Sequence, residues 1–118
     1  MQIRNLLLLL FICCFACKNA KQDDNAEKFD KIKWVAKKNN EFPYRDKMLK
    51  DLIDNHKLHG LKKEEVINML GQPSRSDNGH LFYKIDQELI GNIFPLHTKT
   101  LVIKLNKDST VEWRKIHE

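Results

Sequence analysis

Cysteine is nearly missing from this chain. Cys13, Cys14 and Cys17 are the only three, and all stand among the first seventeen residues. Cleavage before Cys17 would leave one cysteine, so no intramolecular disulfide is available to the rest of the chain. Long apolar runs are missing too. The one from Leu6 to Ala16 stops well short of the roughly 20 residues that a spanning helix needs. Glycine is scarce, with four residues, and Gly71 and Gly79 stand too far apart to cradle a phosphate. Ser74, Ser76 and Ser109 have no glycine elbow around them, which removes the usual frame of a serine nucleophile. No mature cysteine would be free to serve instead. There is no internal repeat, no low-complexity tract and no block of basic residues. The formal charge of +5, or +4 without Arg4, is carried by lysines interspersed with Asp and Glu. Such a balance suits residence beside anionic headgroups.

What is present begins with a positive charge at Arg4, an apolar run, and a cysteine preceded by a small residue. This is the layout of a secretory signal. Cys14-Phe15-Ala16-Cys17 resembles a bacterial lipobox, with Ala16 in the small position before the modified cysteine. The expectation is a signal peptide over 1–16, cleaved before an acylated Cys17 that holds the protein to membrane lipid. The competing reading is an ordinary signal cut elsewhere, which would release a periplasmic or secreted domain. Several acyl chains hold a membrane much more firmly than one, at about 0.8 kcal/mol per buried methylene. Acylation would also remove a lone thiol that is a liability in an oxidising compartment. Export sets the domain apart from nucleic acid, so no nucleic-acid partner is expected.

Residues 17–28 are polar and aperiodic and read as a tether. The rest, 29–118, has the length of one small domain. Phe29, Ile32, Trp34 and Val35, set among lysines, predict a short helix or an extended segment packed on the domain; a membrane-surface helix is the alternative. Met48, Leu49, Leu52, Ile53 and His56 recur at threes and fours, which predicts a helix over 43–57. Leu61, Val66, Ile67 and Leu70 predict a second, closed by Gly71 and Pro73. Glu64 and Glu65 suit its first turn. Strands are expected at 80–85, with Leu81, Tyr83 and Ile85 on one face, at 100–105 and at 110–116, the last two joined by the polar turn 106–109. Residues 86–99 read as a long loop. The expected fold is α+β, with two N-terminal helices packed on a three-stranded antiparallel sheet.

The run Leu58-His59-Gly60-Leu61-Lys62-Lys63-Glu64-Glu65-Val66-Ile67-Asn68-Met69-Leu70-Gly71-Gln72-Pro73 resembles the signature of the small-protein-A-like lipoproteins, the family of BamE and OmlA, in which a glycine-led helix ends in Leu-Gly-x-Pro. Tyr83 fits as well, and upstream Phe29, Trp34, Arg45, Met48, Asp51 and Leu52 look like a variant common in small proteins of the same helix-helix-strand type. The resemblance implies a two-helix, three-strand module that works by binding, as an accessory of outer-membrane assembly or of envelope integrity. Lys62 departs from the usual Thr or Ser at the helix start and cannot accept the capping hydrogen bond, a loss of about 1 kcal/mol. The segment that carries partner contacts in the assembly machinery has no residue-by-residue match, so the fold is carried over and the partner is not.

No constellation asks for catalysis or a cofactor. Of the histidines only His56 and His59 have ligand-like spacing, and no third ligand stands near them. They read more simply as residues at the negative end of a helix. The candidate binding residues are Ile90, Ile93, Phe94 and Leu96, apolar bulk in a segment that should be polar; the alternative is that the loop folds back to cover the sheet. Arg45 on the first helix could meet anionic lipid or an acidic partner. The functional expectation is a non-catalytic protein-binding lipoprotein of the cell envelope, anchored in the outer membrane, with an envelope protein as partner. A small-ligand or lipid-binding lipoprotein, or an inhibitor or immunity-type one, stands as the alternative.

Overall fold

The computed structural model describes residues 26–91 and 93–118. The signal segment, Cys17 and most of the expected tether lie outside the described residues. In chain order come helix α1, Lys31–Val35, helix α2, Arg45–Asn55, and helix α3, Lys63–Leu70. Four strands follow: β1, Arg75–Asp77; β2, His80–Ile90; β3, Phe94–Leu105; and β4, Val111–His117.

Helix α1 is a single turn, started by Asp30, whose Oδ1 accepts the N–H of Ile32 at 2.9 Å. It buries one residue, Trp34. Helix α2 buries Arg45, Met48, Leu49 and Leu52, a stripe with the three- and four-residue spacing of one helical face. Helix α3 begins at Lys62, whose side chain makes no capping bond. Its own backbone N–H donates to Glu65 Oε1 at 3.1 Å, one half of a capping box. The other help comes from the turn between β3 and β4: Lys63 N–H donates to the carbonyl of Ser109 at 2.9 Å. At the far end Gly71 takes φ +77, a conformation that costs glycine nothing, and the Tyr83 hydroxyl donates to its carbonyl at 2.8 Å.

The expected two helices on three strands are corrected here. The sheet has four antiparallel strands in the order β1-β2-β3-β4, and among the described residues three short helices precede it. The additional strand exists because Asn78 and Gly79, with φ of +48 and +75, form a two-residue turn between Asp77 and His80, which pair directly. Positive φ at both turn residues suits the right-handed twist of a hairpin. The segment read as a loop is the other correction. Residues 86–90 and 94–99 continue β2 and β3 as a paired ribbon, with Gln87 opposite Thr98 and Ile90 opposite Phe94.

The core lies between the helices and one sheet face. Trp34, Met48, Leu49, Leu52, Leu58, Val66 and Leu70 pack there against Leu81, Tyr83, Ile85, Leu101, Ile103 and Val111. Side chains alternate along a strand, so their neighbours in sequence, Phe82, Lys84, Val102 and Lys104, point from the opposite face. None of the described helices lies on that face.

Candidate binding surfaces

Arg45 is not on the surface. It is 2% exposed, with Nε donating to the Trp34 carbonyl and Nη1 to the Lys84 carbonyl, each at 2.8 Å. Its guanidinium lies 3.4 Å from the centre of the Phe42 ring and 4.9 Å from that of Trp34. Burial pulls its pKa down to about 10, which leaves it charged at neutral pH. The structure thus places Arg45 in the core and not on a surface open to lipid or a partner, and the signal for this was available in the sequence. Arg45 stands three residues before Met48 and four before Leu49, on the apolar stripe and not opposite it.

Ile90, Ile93, Phe94 and Leu96 are exposed by 55, 74, 69 and 61%. They do not fold back over the sheet. They form the end of the ribbon, and the arrangement along it is graded. Asp86 pairs with Lys99, Gln87 with Thr98 and Glu88 with His97, three polar rungs, before Leu89 meets Pro95 and Ile90 meets Phe94. Because adjacent rungs point to opposite faces, Ile90 with Phe94 and Leu89 with Pro95 make both faces of the tip apolar. A register shift between Glu88 and Leu89 leaves Leu96 as the extra residue of a bulge.

The base of the ribbon is fixed by Lys99. Its Nζ lies 2.8 Å from Asp46 Oδ1 in the first turn of α2 and 3.5 Å from Glu118. The hydrogen bond to Asp46 raises the lysine pKa, with the charges of Asp46 and Glu118 adding to it. Beside Lys99 a groove of about 510 Å³ runs between α2 and the sheet, lined by Ala26, Ile53, Lys99 and Ile116. The first described residue therefore sits at the foot of the ribbon.

The uncovered sheet face carries a second set that sequence reading missed. Register places Arg75, Phe82, Val102 and Lys115 on one cross-sheet row and Asp77, His80, Lys104 and Trp113 on the next. Arg75 Cζ lies 4.2 Å from the centre of Phe82. The His80 ring stacks on Phe82 at 6.1 Å and meets Trp113 edge-on at 5.8 Å. Lys104 pairs with Glu112 at 3.3 Å. Strand alternation set Phe82, Lys84 and Lys104 between the inward positions expected at 80–85 and 100–105; Trp113 lies outward because a register shift between Lys104 and Leu105 breaks the alternation after Val111.

The two histidines line one groove but have different surroundings. His56 lies 3.4 Å from Asp51 and packs edge-on against Phe29, whereas His59 is exposed in the turn before α3. Among the described residues no group of three or more His, Cys, Asp or Glu side chains is placed to hold a metal ion. Among them, too, no helix is long and apolar enough to cross a membrane. The chain matches no family model, no curated protein and no solved structure.

Proposed function

We propose that this protein is a lipid-anchored, non-catalytic module of the bacterial cell envelope that binds another protein through the outer face of its sheet. One observation carries the reading: the three described helices pack on one side of the sheet, and on the other Arg75 lies over Phe82, Phe82 stacks on His80 and His80 meets Trp113. Tryptophan and arginine are enriched among the residues that dominate the energetics of protein interfaces. A rigid strand backbone holds them here at little entropic cost on binding. Lys104 and Lys115 in the same rows suit an acidic partner surface. Stacked aromatics beside lysines also make platforms for single-stranded nucleic acid, an occupant that the export signal read from the first seventeen residues weighs against. The likeness of residues 58–73 to lipoproteins that work by binding supports the same reading.

The test is crosslinking capture from native membranes with the wild-type chain, Trp113→Ala and Arg75→Glu, with circular dichroism as the control for folding. A specific envelope protein held by the wild type and lost from both variants is the expected result. Equal capture by all three removes the sheet face as the contact. Intact mass of the wild-type chain is expected to show an acyl group on Cys17, and an unmodified Cys17 would refute the lipid anchor.

A further inference from the structure

We propose that the ribbon tip is a second membrane contact, dipping end-on into the lipid surface beside the acyl anchor. The argument begins with the direction in which polarity changes. A ribbon that docks on a protein by one face is apolar on that face and polar on the other. Here the change runs along the axis: three polar rungs, Asp86 with Lys99, Gln87 with Thr98 and Glu88 with His97, then apolar side chains on both faces at Leu89, Ile90, Phe94 and Pro95, and Ile93 in the turn. Such an end matches a medium entered from one direction, with a polar collar left at the headgroups.

Depth agrees with this. Two rungs and a turn at about 3.3 Å per residue give roughly 7–10 Å of apolar length, and an interfacial element buries about 5–10 Å into the headgroup and acyl boundary. Deeper entry is excluded by the backbone. Past β1 and β4 the ribbon has two open edges, and unpaired N–H and C=O groups cannot be left in hydrocarbon.

Placement of the chain end agrees too. Ala26 lines the groove beside Lys99, at the ribbon's foot. Nine residues lead from Cys17 to Ala26, a reach of up to about 30 Å when extended, which exceeds the length of the ribbon. The anchor and the tip can therefore enter one bilayer together, and this step rests on the reading of Cys17 as acylated. With two contacts the domain holds one orientation, and the sheet face is presented beside the membrane and not pressed onto it.

The experiment places a reporter at the tip, Ile93→Trp in a Trp113→Phe background, in the acylated chain bound to vesicles of phosphatidylcholine and phosphatidylglycerol. Trp34 is buried in the core and supplies a constant background. Emission is expected to move to the blue on vesicle binding and to be quenched more by nitroxide near the headgroups than by nitroxide near the chain ends, an effect reduced about tenfold or more by Phe94→Asp. A chain that floats with the vesicles while its reporter stays unshifted and unquenched overturns the proposal. So does a dimer dissolved by Phe94→Asp in detergent, which would assign the tip to a second copy. If intact mass shows no acyl group on Cys17, the anchor reading fails separately, and quenching of the same chain mixed with vesicles still decides the tip.

Discussion

Arg45 is bound to Trp34 through a 2.8 Å hydrogen bond from Nε to the main-chain carbonyl, and the same guanidinium reaches across to the Lys84 carbonyl on β2. One side chain thus ties the end of α1, the start of α2 and the middle of the sheet. Removing it would leave two inward carbonyls without donors, each costing about 1–3 kcal/mol. Arg45→Ala is expected to lower stability by about 2–4 kcal/mol, measured by urea denaturation. Arg45→Lys should recover little of that loss, because an ammonium lacks the planar fork that spans two acceptors and stacks on Phe42. Full stability in the lysine variant would show that charge alone suffices.

Gly71 closes α3 with φ +77, and a Cβ there would stand 3.0 Å from Val35 Cγ1. Gly71→Ala combines left-handed backbone strain with that contact, so a loss of about 1–2 kcal/mol is expected. The neighbouring Tyr83→Phe removes only the hydroxyl that caps the Gly71 carbonyl, a loss of about 1 kcal/mol. Burial pushes the Tyr83 pKa up to about 12, above its ordinary value. The stability that depends on neutral Tyr83 is therefore complete below about pH 10 and lost as pH rises toward 12. Tyr83→Phe should abolish this alkaline component, and an unchanged alkaline limb in that variant would refute the assignment.

Lys62 offers a test in the opposite direction. Helix α3 starts with the Glu65 half of its capping box alone, so Lys62→Ser or Lys62→Thr adds the missing acceptor and is expected to raise stability by about 0.5–1 kcal/mol. Thermal unfolding reads this directly. No gain would mean that the bond from Lys63 to the Ser109 carbonyl already holds the helix start as firmly as a side-chain cap would.

Helices α2 and α3 and the final hairpin were legible because their signals are local. Met48, Leu49 and Leu52 keep helical spacing, Gly71 and Pro73 mark a stop, and Asn106 with Asp108 makes a turn in which Asn106 Oδ1 accepts the N–H groups of Asp108 and Thr110. β1 is three exposed residues with no apolar alternation to announce it; the Asn78-Gly79 dipeptide alone pointed to a hairpin there. The ribbon was illegible for a related reason. Both of its faces meet solvent, so nothing imposes alternation on Asp86, Gln87 and Glu88 or on His97, Thr98 and Lys99, and a paired segment reads as a loop. On the sheet face, Phe82 and Trp113 were visible in the sequence, but that they share a surface with Arg75 depends on the β1–β2 turn, which was not foreseen.

Acid should loosen the N-terminal segment before it unfolds the domain. The Asp51 carboxylate accepts the N–H of Phe29 at 2.7 Å and that of Asn55 Nδ2 at 2.6 Å, with His56 Nε2 at 3.4 Å. The Phe29 backbone bond, followed by those of Asn55 and His56, holds the Asp51 pKa below its usual value. A carboxyl depressed in the fold contributes stability that is complete above the unfolded value of about 3.9 and is lost as pH falls through the lower folded value. Phe29 packs on Trp34 at 5.6 Å, so its release should change tryptophan fluorescence below about pH 4 while far-ultraviolet dichroism holds. Asp51→Ala should show the released signal already at neutral pH and no acid step of its own. An acid transition in which fluorescence and dichroism change together, unaltered in Asp51→Ala, would place the sensitive group elsewhere.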